Sequence, residues 1–297
     1  MVANKRTLEF VDPIALNFLV RLPALLFIAV AVSVLTGFRL WSVGFGMTWT
    51  AAGYICISAA VTWLIGFNAY FLALRLGSVG VVSPITSTDP VFTAVFAVLL
   101  LSTALNGLIV AGLLLATGGV MLISRWMDLP ADPHGEVLSP PPTHHPRRGP
   151  QAEVVFLSLA TAAGWGLAPV IIQLAERSVG GTSATMILQG QALGVLMLAP
   201  QALRRRKRLF TRRLSPAERR LAVRLVVTTG ALEATFSVLY YLLIDHLGAL
   251  LTTIIIGSSP IFAIFGGITM LRERTGAKLI FGAAVTLAGV FLAVAGT

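Results

Sequence analysis

Thiols, imidazoles and acids are scarce in this chain: 297 residues hold one cysteine, four histidines and twelve Asp and Glu together. Cys56 stands alone inside an apolar run, which excludes a disulfide framework and a thiolate metal cluster. His134, His144, His145 and His246 fall in or near loops, and no HExxH pattern is present. The adjacent His144 and His145 have no Cys or carboxylate at a ligand spacing beside them, so they read as part of a solvated linker. No Walker sequence appears, so ATP does not drive the protein directly, and no cofactor or metal is expected. Charge is equally sparse. Only 11% of residues are charged, far fewer than a soluble domain of this length carries.

What fills the chain instead is apolar. Hydrophobic residues make up 56% and the mean hydropathy is +0.87. Apolar runs of about 18 residues or more recur, long enough to cross a hydrocarbon core. Nine spans are predicted, at 13–38, 48–74, 79–102, 105–125, 153–175, 182–203, 221–245, 249–271 and 278–296. The first has the length of a mature span and lacks a small-residue cleavage site, so no signal peptide is expected. Between the fourth and fifth spans, residues 128–150 are rich in proline and polar side chains and cannot build a core; they divide the chain into units 1–127 and 153–297 around a linker, 128–152.

The net charge of +10 sits in the loops, where lipid headgroups and the orientation rule account for it better than nucleic acid does. Residues 204–220 (RRRKRLFTRRLSPAERR) hold nine Lys and Arg. A patch for anionic lipid is one reading and a topology anchor the other; the anchor is favoured because short basic loops stay cytoplasmic. With that loop inside, Lys5, Arg6, Arg75, Arg125, Arg147, Arg148, Arg272, Arg274 and Lys278 also fall inside, and only Arg39 and Arg177 fall outside. Met1 is then inside and the C-terminus outside.

Residues 71–124 and 241–294 are two copies of one unit. Pro90 to Gly112 and Pro260 to Gly282 are both 22 residues apart (112−90, 282−260), and Pro90 to Gly119 and Pro260 to Gly289 are both 29 apart (119−90, 289−260). Repeated apolar units with proline at matching helix positions point to a secondary transporter whose site lies between the repeats.

The chain resembles the EamA-type transporters of the drug/metabolite transporter superfamily. The residues that carry the resemblance are 69–77 (AYFLALRLG), Pro90, Gly112 and Gly118–Gly119–Val120, then Gly164–Trp165–Gly166, Tyr240–Tyr241, Pro260, Arg272–Glu273 and Ala288–Gly289–Val290. The resemblance implies an all-α polytopic fold, two inverted five-helix repeats around a central cavity, and movement of small metabolites. Three departures stand out. The first repeat has four spans, so its first helix is expected to be missing or to precede Met1. The acid Glu273 has Thr103 as its counterpart. Members with ten helices keep both termini in the cytoplasm, whereas the basic loop here places the C-terminus outside.

Candidate site residues follow from the cost of polar groups in hydrocarbon. Both repeats place short polar residues before a mid-membrane proline, Thr88–Asp89–Pro90 and Ser258–Ser259–Pro260. Asp or Ser before proline predicts an N-cap with Pro90 or Pro260 at the first helical position, and a broken helix offering free N–H groups to an anion; a simple kink healed by a hydroxyl is the plainer reading. Glu233 stands mid-span and must be paired, neutral or facing water, either as a proton-binding group or as a structural hydrogen-bonding residue. Its counterpart in the first repeat is Thr62. Arg21 is expected to pair with Asp89 or Glu233, with snorkelling or holding a substrate carboxylate as the alternatives. Gln173, Gln189 and Gln191 are candidates for substrate or for helix–helix hydrogen bonds. On the strength of the resemblance, Trp165, Tyr240, Tyr241 and Phe67 form an aromatic cavity wall. Gly112, Gly118, Gly119, Gly282 and Gly289 are expected to let helices approach closely.

The function expected is secondary, proton-coupled transport of a small organic metabolite, such as an amino acid or drug-like compound, across the cell membrane, with lipid as the surrounding partner. A lipid translocator of the same architecture is the alternative, and an intramembrane lipid-modifying enzyme ranks below both.

Overall fold

A computed structural model describes residues 7, 8, 10–35, 48–77, 82, 85–127, 151–179, 183–205, 210, 214–258 and 277–296. These are almost wholly helical: α1 (Pro13–Leu35), α2 (Trp49–Leu76), α3 (Asp89–Leu101), α4 (Gly107–Met127), α5 (Gln151–Val179), α6 (Ser183–Arg204), α7 (Pro216–Gly257) and α8 (Ala277–Ala295). Five of them, α1, α2, α5, α6 and α7, are long and apolar enough to cross a membrane; α3, α4 and α8 contribute shorter apolar stretches. The expected linker, 128–150, lies outside the described residues.

Among the described residues the span boundaries agree closely with the hydropathy reading. The boundary predicted between spans 221–245 and 249–271 falls at a kink within α7: Gly248, with φ of 76° and ψ of 168°, leaves the helical region between two helical stretches, the second described as far as Gly257. A left-handed φ suits glycine because it has no Cβ to clash, so the chain turns there without losing the helix on either side. Within the predicted span 79–102, α3 begins at Asp89, and a turn closed from Thr88 N to the Ile85 carbonyl precedes it. The second repeat's equivalent, beyond Ser258, lies outside the described residues.

Helix α2 is irregular in a way hydropathy cannot reveal. Its middle, Ala60–Phe67, is a π-helix. Such segments are rare and release a carbonyl from the i→i−4 ladder. One carbonyl here, that of Trp63, accepts from Asn17 Nδ2 at 2.9 Å. The same amide reaches Asn68 Oδ1 at 3.0 Å, and Asn68 Nδ2 donates to Gln201 Oε1 at 3.1 Å. This buried amide chain ties α1, α2 and α6 together around the π segment.

At one end of the bundle Asp12 does similar work. Its Oδ1 accepts from the amides of Ile14 (3.1 Å) and Ala15 (3.3 Å), capping α1. The carboxylate also pairs with Arg75 at the end of α2 (3.5 Å) and Arg205 after α6 (3.2 Å). An antiparallel bridge between Val11 and Phe210 closes the same end. Arg75 and the start of the basic loop therefore share one face of the molecule, as the charge pattern requires.

Candidate functional site

A cavity of about 270 Å³ opens in the middle of the bundle, lined from α1, α2, α3, α5, α6 and α7, that is, from both repeats. Three glycines bring its walls together. A β-carbon on Gly164 would lie 3.3 Å from Gly66 Cα in the π segment, and one on Gly166 would lie 2.7 Å from the Asp89 carbonyl at the start of α3. The Gly–Trp–Gly sequence thus lets α5 lie directly on α2 and α3. Trp165, between the two glycines, faces inward against Phe67 and Tyr70, each 5.1 Å away between ring centroids. Gly257 performs the equivalent service for α7, where a β-carbon would lie 3.0 Å from Pro90 Cγ.

The charged heart of the cavity is Arg21 with Glu233. The guanidinium is buried and its Nη2 pairs with Glu233 Oε2. It also lies over two rings of the π segment, 4.1 Å from the Trp63 centroid and 4.4 Å from that of Phe67. Trp63 is fixed in turn by donation from its Nε1 to the Gly190 carbonyl at 3.2 Å. A buried guanidinium is tolerable only when paired and well contacted, and here one carboxylate and two π faces share the task.

Of the sequence candidates, Arg21, Phe67, Asp89, Trp165, Gln191, Glu233, Tyr240 and Tyr241 all line this cavity, and so does Thr62. Arg21 selects Glu233 and not Asp89 as its partner. Gln173 is elsewhere: its Oε1 accepts from the Ala249 amide at 3.2 Å, and it packs against the break at Gly248. Gln189 is half-buried and is not part of the lining. Pro90 is packed behind Asp89 against Gly257. Ser259 and Pro260 lie outside the described residues.

The expected caps need correction. Thr88, not Asp89, occupies the N-cap, and Asp89 and Pro90 are the first two residues of α3. The Thr88 hydroxyl donates back to the Ile85 carbonyl (2.7 Å), and the Val91 amide donates to Thr88 O (3.0 Å). Ser258 likewise closes the end of α7, its hydroxyl donating to the Ile255 carbonyl at 2.5 Å. Each residue stands two before its proline, and each bonds three residues back. In each case the hydroxyl satisfies a carbonyl of the preceding turn, and in the first repeat the Val91 amide is not left free for an anion.

Sequence reasoning missed Trp63, Ser58, Thr86, Ser87, Phe236 and Ser237, which also line the cavity. Trp63 had a signal: it stands four residues before Phe67, and a cationic partner for that pair existed in Arg21. The serines and threonines carry none, because hydroxyls are common in membrane helices.

An all-α bundle with repeated units, apolar spans and a largely apolar cavity holding a few charged side chains between the halves fits the class of multi-pass membrane transporters. The chain matches the EamA-like transporter family over residues 1–125 and 153–295 and belongs to it. A solved structure titled "Crystal structure of protein" is similar in fold, with a TM-score of 0.66 and 16% identity, covering 99% of this chain and 91% of that one. No curated protein matches the chain significantly.

Proposed function

We propose that this transporter is a secondary active, proton-coupled carrier of a small organic metabolite at the cell membrane, with the central cavity as the substrate site and Glu233 as the proton-binding group. The observation that carries the reading is the Arg21–Glu233 pair, a buried acid and base in the wall of a cavity shared by the two repeats. Ionisable residues in a membrane interior are costly and mark substrate or proton pathways. Removing one partner of a buried pair costs about 3–5 kcal/mol, so protonating Glu233 would ordinarily strand Arg21. The Trp63 and Phe67 faces offset part of that loss, since a desolvated cation–π contact contributes about 2 kcal/mol or more. Arg21 can therefore stay in place through both protonation states of Glu233, and only the carboxyl side of the pair needs to change.

The test is reconstitution. Purified protein in liposomes is given an imposed proton gradient and a panel of labelled amines, amino acids and other small metabolites. Gradient-driven accumulation of at least one compound, abolished by a protonophore, is expected. Movement of none of them, or movement indifferent to the gradient, contradicts the reading.

A further inference from the structure

Among the described residues the cavity wall carries one guanidinium and two carboxylates, Arg21, Glu233 and Asp89. Arg21 and Glu233 cancel each other. Asp89 is left over: it is half-buried, it lines the cavity, and among the described residues no cation pairs with it. The buried donors that lack partners do not change this balance. Arg21 Nε, Trp165 Nε1 and Gln191 Nε2 are each shut away from the cavity space, and the Trp165 nitrogen lies against Gly66. Asp89 shares the cavity lining with the aromatic residues Trp165, Tyr240, Tyr241 and Phe236.

We infer that Asp89 is the docking carboxylate of a cation site, and that the cavity selects a small amine whose single positive charge is attached to an apolar or aromatic body. This rests on the reading of the cavity as the substrate site. An uncompensated carboxylate in a low-dielectric wall costs free energy that a bound cation recovers, and ring faces attract the same charge. The protein already displays the arrangement with its own cation, Arg21 over Trp63 and Phe67 with Glu233; the same cavity offers Asp89 and further aromatic residues to a second cation. Position supports the assignment. The Asp89 backbone is clamped by Gly166 of α5, and Pro90 is clamped by Gly257 of α7, so the carboxylate is carried on the seam where the two repeats meet.

Equilibrium binding of a charge series to the detergent-purified protein tests this apart from transport. Tryptamine, 3-ethylindole and indole-3-acetate share a ring and differ in charge; phenethylamine and cyclohexylmethylamine vary the body. The wild type should bind tryptamine at least about tenfold more tightly than 3-ethylindole, with indole-3-acetate weakest. Asp89→Asn should erase the preference while keeping the affinity for 3-ethylindole, which reports an intact cavity, and Asp89→Glu should restore part of it. Equal affinity across the wild-type charge series, a preference for the anion, or no binding of any amine up to ~10 mM overturns the inference. So does an undiminished tryptamine preference in Asp89→Asn. Should liposome transport fail while the charge preference holds, the transport reading falls and the cation site stands.

Discussion

Gly112 of α4 and Gly289 of α8 lie backbone against backbone. A β-carbon on Gly112 would sit 2.6 Å from the Gly289 carbonyl, and one on Gly289 would sit 2.7 Å from the Gly112 carbonyl. The duplication offset of 170 residues (282−112, 289−119) turns this contact into a second one, Gly282 with Gly119, and there a β-carbon on Gly119 would lie 2.9 Å from Gly282 O. The two repeats thus meet through one contact used twice. In a membrane, where no hydrophobic force joins helices, close backbone packing supplies the attraction.

Gly112→Val and Gly289→Val should therefore destabilise the protein by about 1–3 kcal/mol each, because backbone cannot move aside as a side chain can. Gly118, with open space around it, is the internal control. Gly118→Ala should be neutral or stabilising by up to ~1 kcal/mol, from helix propensity alone. Thermal unfolding in detergent separates the cases; equal losses at Gly112 and Gly118 would contradict the packing.

Gln173→Leu should lower stability by about 1–3 kcal/mol by leaving the Ala249 amide at the Gly248 break without its acceptor. Substrate affinity should be unchanged, since Gln173 does not line the cavity. Unfolding and binding measured on the same preparation check both halves. Lost affinity with intact stability would return Gln173 to the substrate site.

Arg21→Met should be the most damaging single change, costing about 3–5 kcal/mol by stranding Glu233. The double variant Arg21→Met, Glu233→Met should recover most of that loss, because a buried pair replaced by apolar groups is often neutral. A double variant no better than the single one would show that the two residues are not coupled.

A cysteine at Ala217, exposed beside the basic loop 204–220, should resist a membrane-impermeant maleimide in intact cells when placed in a Cys56→Ala background. Ala217 is preferable to Ser215, whose hydroxyl and Glu218 form a capping box at the start of α7. Ready labelling would reverse the orientation argued from charge.

The helices were legible because hydropathy and length are composition-level signals, and the break at Gly248 falls where the two predicted spans were separated. That Arg21 would pair with a mid-span acid was legible for the same reason, since charges in apolar runs must find each other, but the choice of Glu233 over Asp89 was not. The π segment was not, since Ala60–Phe67 has no marker distinguishing it from ordinary helix. Trp63 was lost with it: its spacing from Phe67 was in the sequence, but the register that turns both rings onto Arg21 was not. Gln173 and Gln191 look alike in sequence, yet one secures a backbone break and the other lines the cavity. Only the packing of α5 and α6 against α7 tells them apart.

The central claim is that Glu233 carries the coupling proton, and Glu233→Gln tests it most directly, keeping the shape and hydrogen-bonding capacity while removing the titration. In proteoliposomes this variant should bind the transported compound and retain exchange of labelled for unlabelled compound. It should lose accumulation driven by an imposed proton gradient. Wild-type gradient-driven uptake by Glu233→Gln would contradict the account and leave Glu233 as the structural partner of Arg21.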